Sequence, residues 1–157
     1  MLEALGLEPV EDELSDITES ARSARSGEAE SKDHRQLKEH VARNPSAVGL
    51  PAAAGPGDIE VVLPSGDQVD VLFFWDDTYH PVEVKSHRSG VDDLTRGLFQ
   101  CVKYEAVLRA QMAVDNSPRD ATATLVAGRD LPPNVDRVRQ LLGIQVVAAV
   151  DSAGPNS

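Results

Sequence analysis

Residues 58–86 read DIEVVLPSGDQVDVLFFWDDTYHPVEVKS, and this stretch decides the fold. DIEVVL and QVDVLFFW are rich in β-branched and aromatic residues, and PSGD between them is a turn signal. They read as two antiparallel strands. DDTYH supplies a second turn and PVEVKS a third strand, giving a three-stranded meander. Glu83 and Lys85 stand two residues apart on that third strand, so both side chains leave the same face, while Val82 and Val84 face the other way. An acid and a lysine aimed together from an apolar strand call for a chemical reason. Metal-assisted phosphodiester hydrolysis is one. Magnesium takes oxygen ligands, usually one or two carboxylates with waters and substrate phosphate. A cation there polarises the phosphate, and a lysine stabilises charge developing on it or orients the attacking water.

Asp70, between Val69 and Val71 on the preceding strand, is the natural second carboxylate. Its face depends on the connecting loop. An even number of loop residues, 76–77 or 76–79, puts Asp70 on the face of Glu83 and Lys85, and an odd number puts it on the opposite one. Glu-x-Lys alone carries little weight, since average usage yields about one in a chain of this length and a cross-strand salt bridge explains it. The Asp on the previous strand, the valines around each polar residue and the helix that follows raise its specificity. That helix carries Gln100 and Tyr104, four apart and on one face. The amide suits a bridge to a water or a phosphate oxygen, and the phenol suits a phosphate or a base. The competing reading makes Tyr104 a core aromatic and Gln100 its solvated neighbour.

Working outward, residues 28–43 suit a helix that Pro45 terminates. VDDLTRGLFQCVKYEAVLRAQMA is a long helix with Leu94, Leu98, Cys101 and Leu108 along one stripe. ATATLVAG reads as a strand buried on both faces. LPPNVDRVRQLLG is a helix opened by prolines, and IQVVAAV is a final buried strand. The expected class is α/β, in the order helix, three-stranded antiparallel meander, helix, strand, helix, strand, with a mixed central sheet whose later strands join through right-handed crossovers.

Composition bounds the function. At 157 residues the chain holds one ordinary domain. Cys101 is the only cysteine, which excludes an intramolecular disulfide and a cysteine-based zinc cluster. No apolar run approaches the ~20 residues of a membrane span, and MLEALGLEPVEDELSD does not read as a secretory signal, so a cytoplasmic location is expected. The net charge of −11 opposes nucleic-acid binding. Residues 1–33 hold 10 acidic and 3 basic side chains, which places most of that excess in the first fifth of the chain. Residues 1–27 read as an acidic disordered arm, 28–151 as the domain and 152–157 as a disordered tail.

Asp70 followed by Glu83-Val84-Lys85 resembles the active-site signature of the PD-(D/E)xK, or restriction-endonuclease-like, nuclease superfamily. The helix segment FQCVKY looks like the Gln-x-x-x-Tyr motif of its RecB-like members, and LKEHVARNPSAVGL is similar to the opening of some archaeal and actinobacterial mismatch-type endonuclease domains. The resemblance spans roughly residues 28–150. It implies a restriction-endonuclease-like sheet and cleavage of DNA (RNA not excluded) with Mg2+ or Mn2+. The implied ligands are Asp70, Glu83, the backbone carbonyl of Val84 and a helix-borne glutamate. Val69 stands where the family's nominal proline precedes the aspartate. For the helix glutamate, Glu30 falls about 20° from Leu37 on the helical wheel and Glu39 about 200°, so Glu30 is favoured; a first-turn acid stabilised by the helix dipole is the competing reading. Ser86 is a candidate phosphate contact. His34, one turn after Glu30, reads as a polar helix residue, with a place at the border of the site as the competing reading, and the four histidines form no ligand set. The alternative is a catalytically inactive nuclease-fold module that binds a protein or nucleic acid, with the acidic arm docking a protein partner. A homodimer is compatible with either reading.

Overall fold

A computed structural model describes residues 31–152. The chain forms α1 (Lys32–Arg43), two short 3-10 turns (Pro45–Val48 and Ala52–Ala54), β1 (Asp58–Val62), β2 (Gln68–Trp75), β3 (Thr78–Lys85), α2 (Val91–Val114), β4 (Asp120–Ala121), β5 (Thr124–Ala127), α3 (Pro133–Leu142) and β6 (Gln145–Val147). The six strands make one mixed sheet in the order β1-β2-β3-β5-β6, with β4 also beside β3. β1, β2 and β3 are antiparallel neighbours. β3 runs parallel to β4 and β5, and β5 parallel to β6. This is the mixed α/β class that the hydrophobic pattern indicates. Among the described residues no helix is long and apolar enough to cross a membrane. The arm at 1–27, Glu30 and the last five residues of the tail lie outside the described residues.

The β2–β3 connection settles the parity question. Trp75 pairs with Thr78, so the turn is the two residues Asp76 and Asp77, both left-handed with φ of 52° and 56°. That is the geometry of a two-residue hairpin turn whose twist matches the strands. The turn is tighter than DDTYH, because Thr78, Tyr79 and His80 join the strand. The register runs from Trp75↔Thr78 to Val71↔Val82 and ends one residue short of Asp70, so the even turn does not by itself fix the face of that residue.

Two apolar layers hold the sheet. Leu37 and Val41 of α1 pack with Val71, Phe73, Val82, Val84 and Val126. Leu94, Leu98 and Cys101 of α2 pack with Leu125, Ala127, Val135 and Ile144. β5 thus alternates Val126 to one layer and Leu125 and Ala127 to the other, as a strand buried on both faces must. Each such side chain removed from water contributes about 1.5–3 kcal/mol.

The ATATLVAG segment is broken into two strands. Between them the Ala123 amide donates to Glu105 on α2 (2.8 Å) and the Thr122 amide to the Tyr79 carbonyl (2.9 Å). The last strand is a correction: β6 has three residues, Gln145 is exposed and Val146 and Val147 are half-buried. It forms an edge of the sheet, where no further strand covers it, so apolar composition alone overstates its burial. Right at the sheet's other end, β1 is also an exposed edge, and Glu60 within it holds φ of 58°.

Candidate functional site

The strand pair opens where its polar residues begin. Pairing of β2 with β3 stops at Val71↔Val82. Val71 packs on the α1 side, whereas Val69 packs with Tyr104 and Leu108 of α2. Residues two apart on a regular strand share a face, so β2 turns over at Asp70. The Asp70 carboxylate takes the place of a strand carbonyl and accepts the Val84 amide proton at 2.8 Å. The Val84 carbonyl in turn lies 3.1 Å from His34 Nε2 of α1, which is 3.6 Å from Asp70 Oδ2. The backbone groups of Val84 on the β2 side, where the ladder has ended, are satisfied by two side chains.

On the α2 side, Glu83 and Lys85 share a face as strand alternation requires, with Lys85 Nζ 3.5 Å from Glu83 Oε2. Tyr104 donates its hydroxyl to Glu83 Oε1 at 2.7 Å, with the Gln68 carbonyl at 3.1 Å. Lys85 Nζ makes its shorter bond to Asp93 Oδ1, 2.9 Å away, and Asp93 is braced by Ser89 Oγ at 2.7 Å. Asp93, Gly97, Gln100 and Tyr104 recur at i, i+4, i+7 and i+11 on α2, within about 60° on the wheel. One helical stripe therefore covers the acid–lysine pair. Gly97 costs a helix interior about 1 kcal/mol relative to alanine. Its reason is local: a Cβ there would stand 3.0 Å from Lys85 Cε and 3.0 Å from Leu125 Cδ1.

Charge is concentrated here without full compensation. Glu83 is 6 % exposed. Burial and then the Asp70 charge push its carboxyl up to about 7, against the opposing pull of Lys85 and of the Tyr104 hydrogen bond. Burial and the Glu83 charge push the Tyr104 phenol up as well, so it stays a donor. Cys101, buried beneath Glu83 and Glu105, is raised and is no nucleophile at neutral pH. Burial acts to raise Asp93, but the Lys85 charge and the bonds from Lys85 and Ser89 hold it below its ordinary range. The Oε1 atom of Gln100 is buried with no hydrogen-bond partner, an open acceptor on the stripe between Gly97 and Tyr104.

The residues singled out from the sequence are thus distributed unevenly. Asp70, Glu83, Val84, Lys85 and Tyr104 come together, and Gln100 shares their helical face. Tyr104 is at once a core aromatic and a site residue, so its two readings merge. Ser86 is buried and turned the other way: its hydroxyl accepts the Arg88 amide at 3.3 Å, and with His87, Asp33, Leu37 and Gly128 it lines a cavity of about 400 Å3. Glu30 lies outside the described residues.

Sequence reasoning missed Asp93, and placed His34 at the border of the site only as the lesser of two readings. For His34 the signal was present, since it lies about 60° from Leu37 on the wheel. For Asp93 it was the eleven-residue spacing to Tyr104. Among the described residues no three His, Cys, Asp or Glu side chains form a cluster able to hold a metal ion. The donor set that does fit a hard cation is two carboxylates, Asp70 and Glu83, with the Val84 carbonyl next in sequence after Glu83, a composition suited to a cation that keeps several waters. The uncompensated charge at Glu83 supports the fit. Comparisons with protein-family models, with curated proteins and with solved structures find no match to this chain.

Proposed function

We propose that this chain is a divalent-metal-dependent nuclease of the PD-(D/E)xK class, with the restriction-endonuclease-like arrangement of that class, hydrolysing phosphodiester bonds of DNA. The observation that carries the reading is the open end of the β2–β3 pair. There a buried Glu83 shares its electrostatic environment with Asp70, and Lys85 lies 3.5 Å from its carboxylate. Burial and repulsion by the Asp70 charge both make Glu83 expensive to keep ionised. A cation relieves both costs.

Asp70, Glu83 and the Val84 carbonyl would hold Mg2+ or Mn2+, both of which suit an all-oxygen donor set. When bound, the cation supplies charge neutralisation and Lewis acidity at the phosphate. The chain does the rest. Tyr104 donates to Glu83 and fixes the orientation of its carboxylate. The Lys85 ammonium lies where it can stabilise negative charge gathering on phosphate oxygens. The open Gln100 acceptor can orient a hydrogen-bond donor, such as the attacking water.

The net charge of −11 favours the second reading, an inactive module that binds a partner, because it lowers affinity for polyanions. One assay separates the two. The full chain is incubated with labelled single- and double-stranded DNA and RNA, with Mg2+, Mn2+ or a chelator. The nuclease reading expects metal-dependent cleavage that the chelator stops. No cleavage of any substrate, with no metal binding by calorimetry, would establish the module.

A further inference from the structure

A lysine side chain has four rotatable bonds and a mobile head, so a lysine that must act at one point needs something to hold it. Lys85 is held along its length. Its stem passes over Gly97, where a Cβ would stand 3.0 Å from Cε and 3.5 Å from Cγ and so displace the stem. Its ammonium bonds Asp93 at 2.9 Å and reaches Glu83 at 3.5 Å. Asp93 is itself fixed by Ser89, whose carbonyl accepts Arg129 Nη1 at 3.1 Å. The chain of contacts runs from the β5–α3 loop through the first turn of α2 to the ammonium. It does not pass through the carboxylates assigned to the metal, except at the final 3.5 Å.

We infer that Asp93 and Gly97 are positioning residues that together hold the Lys85 ammonium at the reacting phosphate. Gly97 clears the channel for the stem and Asp93 sets how far the head extends. The kinetic part of this inference rests on the proposed nuclease activity; the holder itself does not. Gly97 then has a reason to stand in the middle of a 24-residue helix, and Asp93 does more than favour the helix dipole, for which its neighbour Asp92 would serve equally.

The test uses the full chain, acylated briefly with acetic anhydride at one fixed pH and read by peptide mass spectrometry, with Lys103 as the internal reference. The wild-type Lys85 should react more slowly than Lys103 by at least the roughly fivefold ratio of their side-chain exposures, 59 % against 12 %. Asp93→Asn and Gly97→Ala should each bring the two rates toward equality. Asp92→Asn removes the same charge one residue away and should leave the ratio unchanged. On a substrate the wild type cleaves, both holder variants should lose about 10–10²-fold in kcat, the scale of an ångström of misplacement, with KM within about twofold. An unprotected Lys85 in the wild type, or an unchanged ratio in both holder variants, overturns the holder whatever the cleavage assay gives. A changed ratio with unchanged kcat overturns the positioning role. Protection that is lost on substitution, in a chain that cleaves nothing, supports the holder and overturns the nuclease reading instead.

Discussion

The two ends of the β2–β3 hairpin satisfy their backbone in different ways. From Trp75↔Thr78 to Val71↔Val82 main chain pairs with main chain, and the side chains are free to pack. Phe73 is buried, and Phe74 stacks on Tyr79 with the Arg119 guanidinium 4.9 Å above its ring. Beyond Val71 the ladder opens, and Val84 gives its N–H to Asp70 and its carbonyl to His34. Backbone groups must find partners at either end. Where strands supply them, the residues at those positions stabilise the fold. Where side chains supply them, polar groups are drawn to one point, and a ligand can recruit them without breaking a strand pair.

The largest expected effect belongs to the paired end. Phe73→Ala should cost about 3–5 kcal/mol in a denaturant titration, because it empties a fully buried site in the layer against α1. His34→Ala at the open end should cost only about 1–2 kcal/mol, because it removes one hydrogen bond from a side chain that is 25 % exposed and lets water reach the Val84 carbonyl. Equal losses would mean that the open end is core and that the contrast is false.

Metal binding should follow the same division. Asp70→Asn and Glu83→Gln should each weaken Mn2+ binding by at least about tenfold in calorimetry, since each removes a hard anionic donor. Phe74→Ala, at the paired end, should leave it unchanged. Unaltered binding in both acid variants would show those acids to be structural.

The pH dependence of the metal-free chain sharpens the contrast further. Glu83 faces Asp70, Lys85, Tyr104 and Cys101, and its carboxyl is raised from 4.5 to about 7 in the folded chain. Between those values the fold holds a proton that the unfolded chain has released. The associated stability is complete below about pH 4.5 and is lost as the pH rises through about 7. Glu83→Gln should remove this decline and make the metal-free protein more stable than wild type at pH 8, by about 1–3 kcal/mol. A variant less stable than wild type at pH 8 would show that Lys85 and Tyr104 fully compensate the charge. The smallest effect is at the turn: Asp77→Gly places glycine at the left-handed φ of 56° and should gain about 0.5–1 kcal/mol.

The sequence made the hairpin legible because it lies within one short segment. Alternation alone put Glu83 and Lys85 on one face, and helical spacing put Leu94, Leu98, Cys101 and Leu108 against the sheet. The face of Asp70 was not legible, since it depends on whether two or three residues make the turn, and Asp-Asp adopts left-handed geometry less readily than a glycine turn would advertise. The reversal of β2 at Asp70 had no signal, because both flanking valines are buried in either layer. His34 meets Val84 across 50 residues, and such a pairing is set by how α1 docks. A three-residue edge strand and a seven-residue buried strand look alike in composition, which is why IQVVAAV was read as longer than β6.

In the proposed nuclease, Glu83 is the acid that would make the open end a phosphodiesterase centre. The most direct test of that role compares wild type with Glu83→Gln on the same DNA in Mn2+, after circular dichroism has shown both to be folded. The account expects metal-dependent cleavage by the wild type and a loss of at least about 10²-fold in kcat for the variant. Cleavage by Glu83→Gln at the wild-type rate would contradict it.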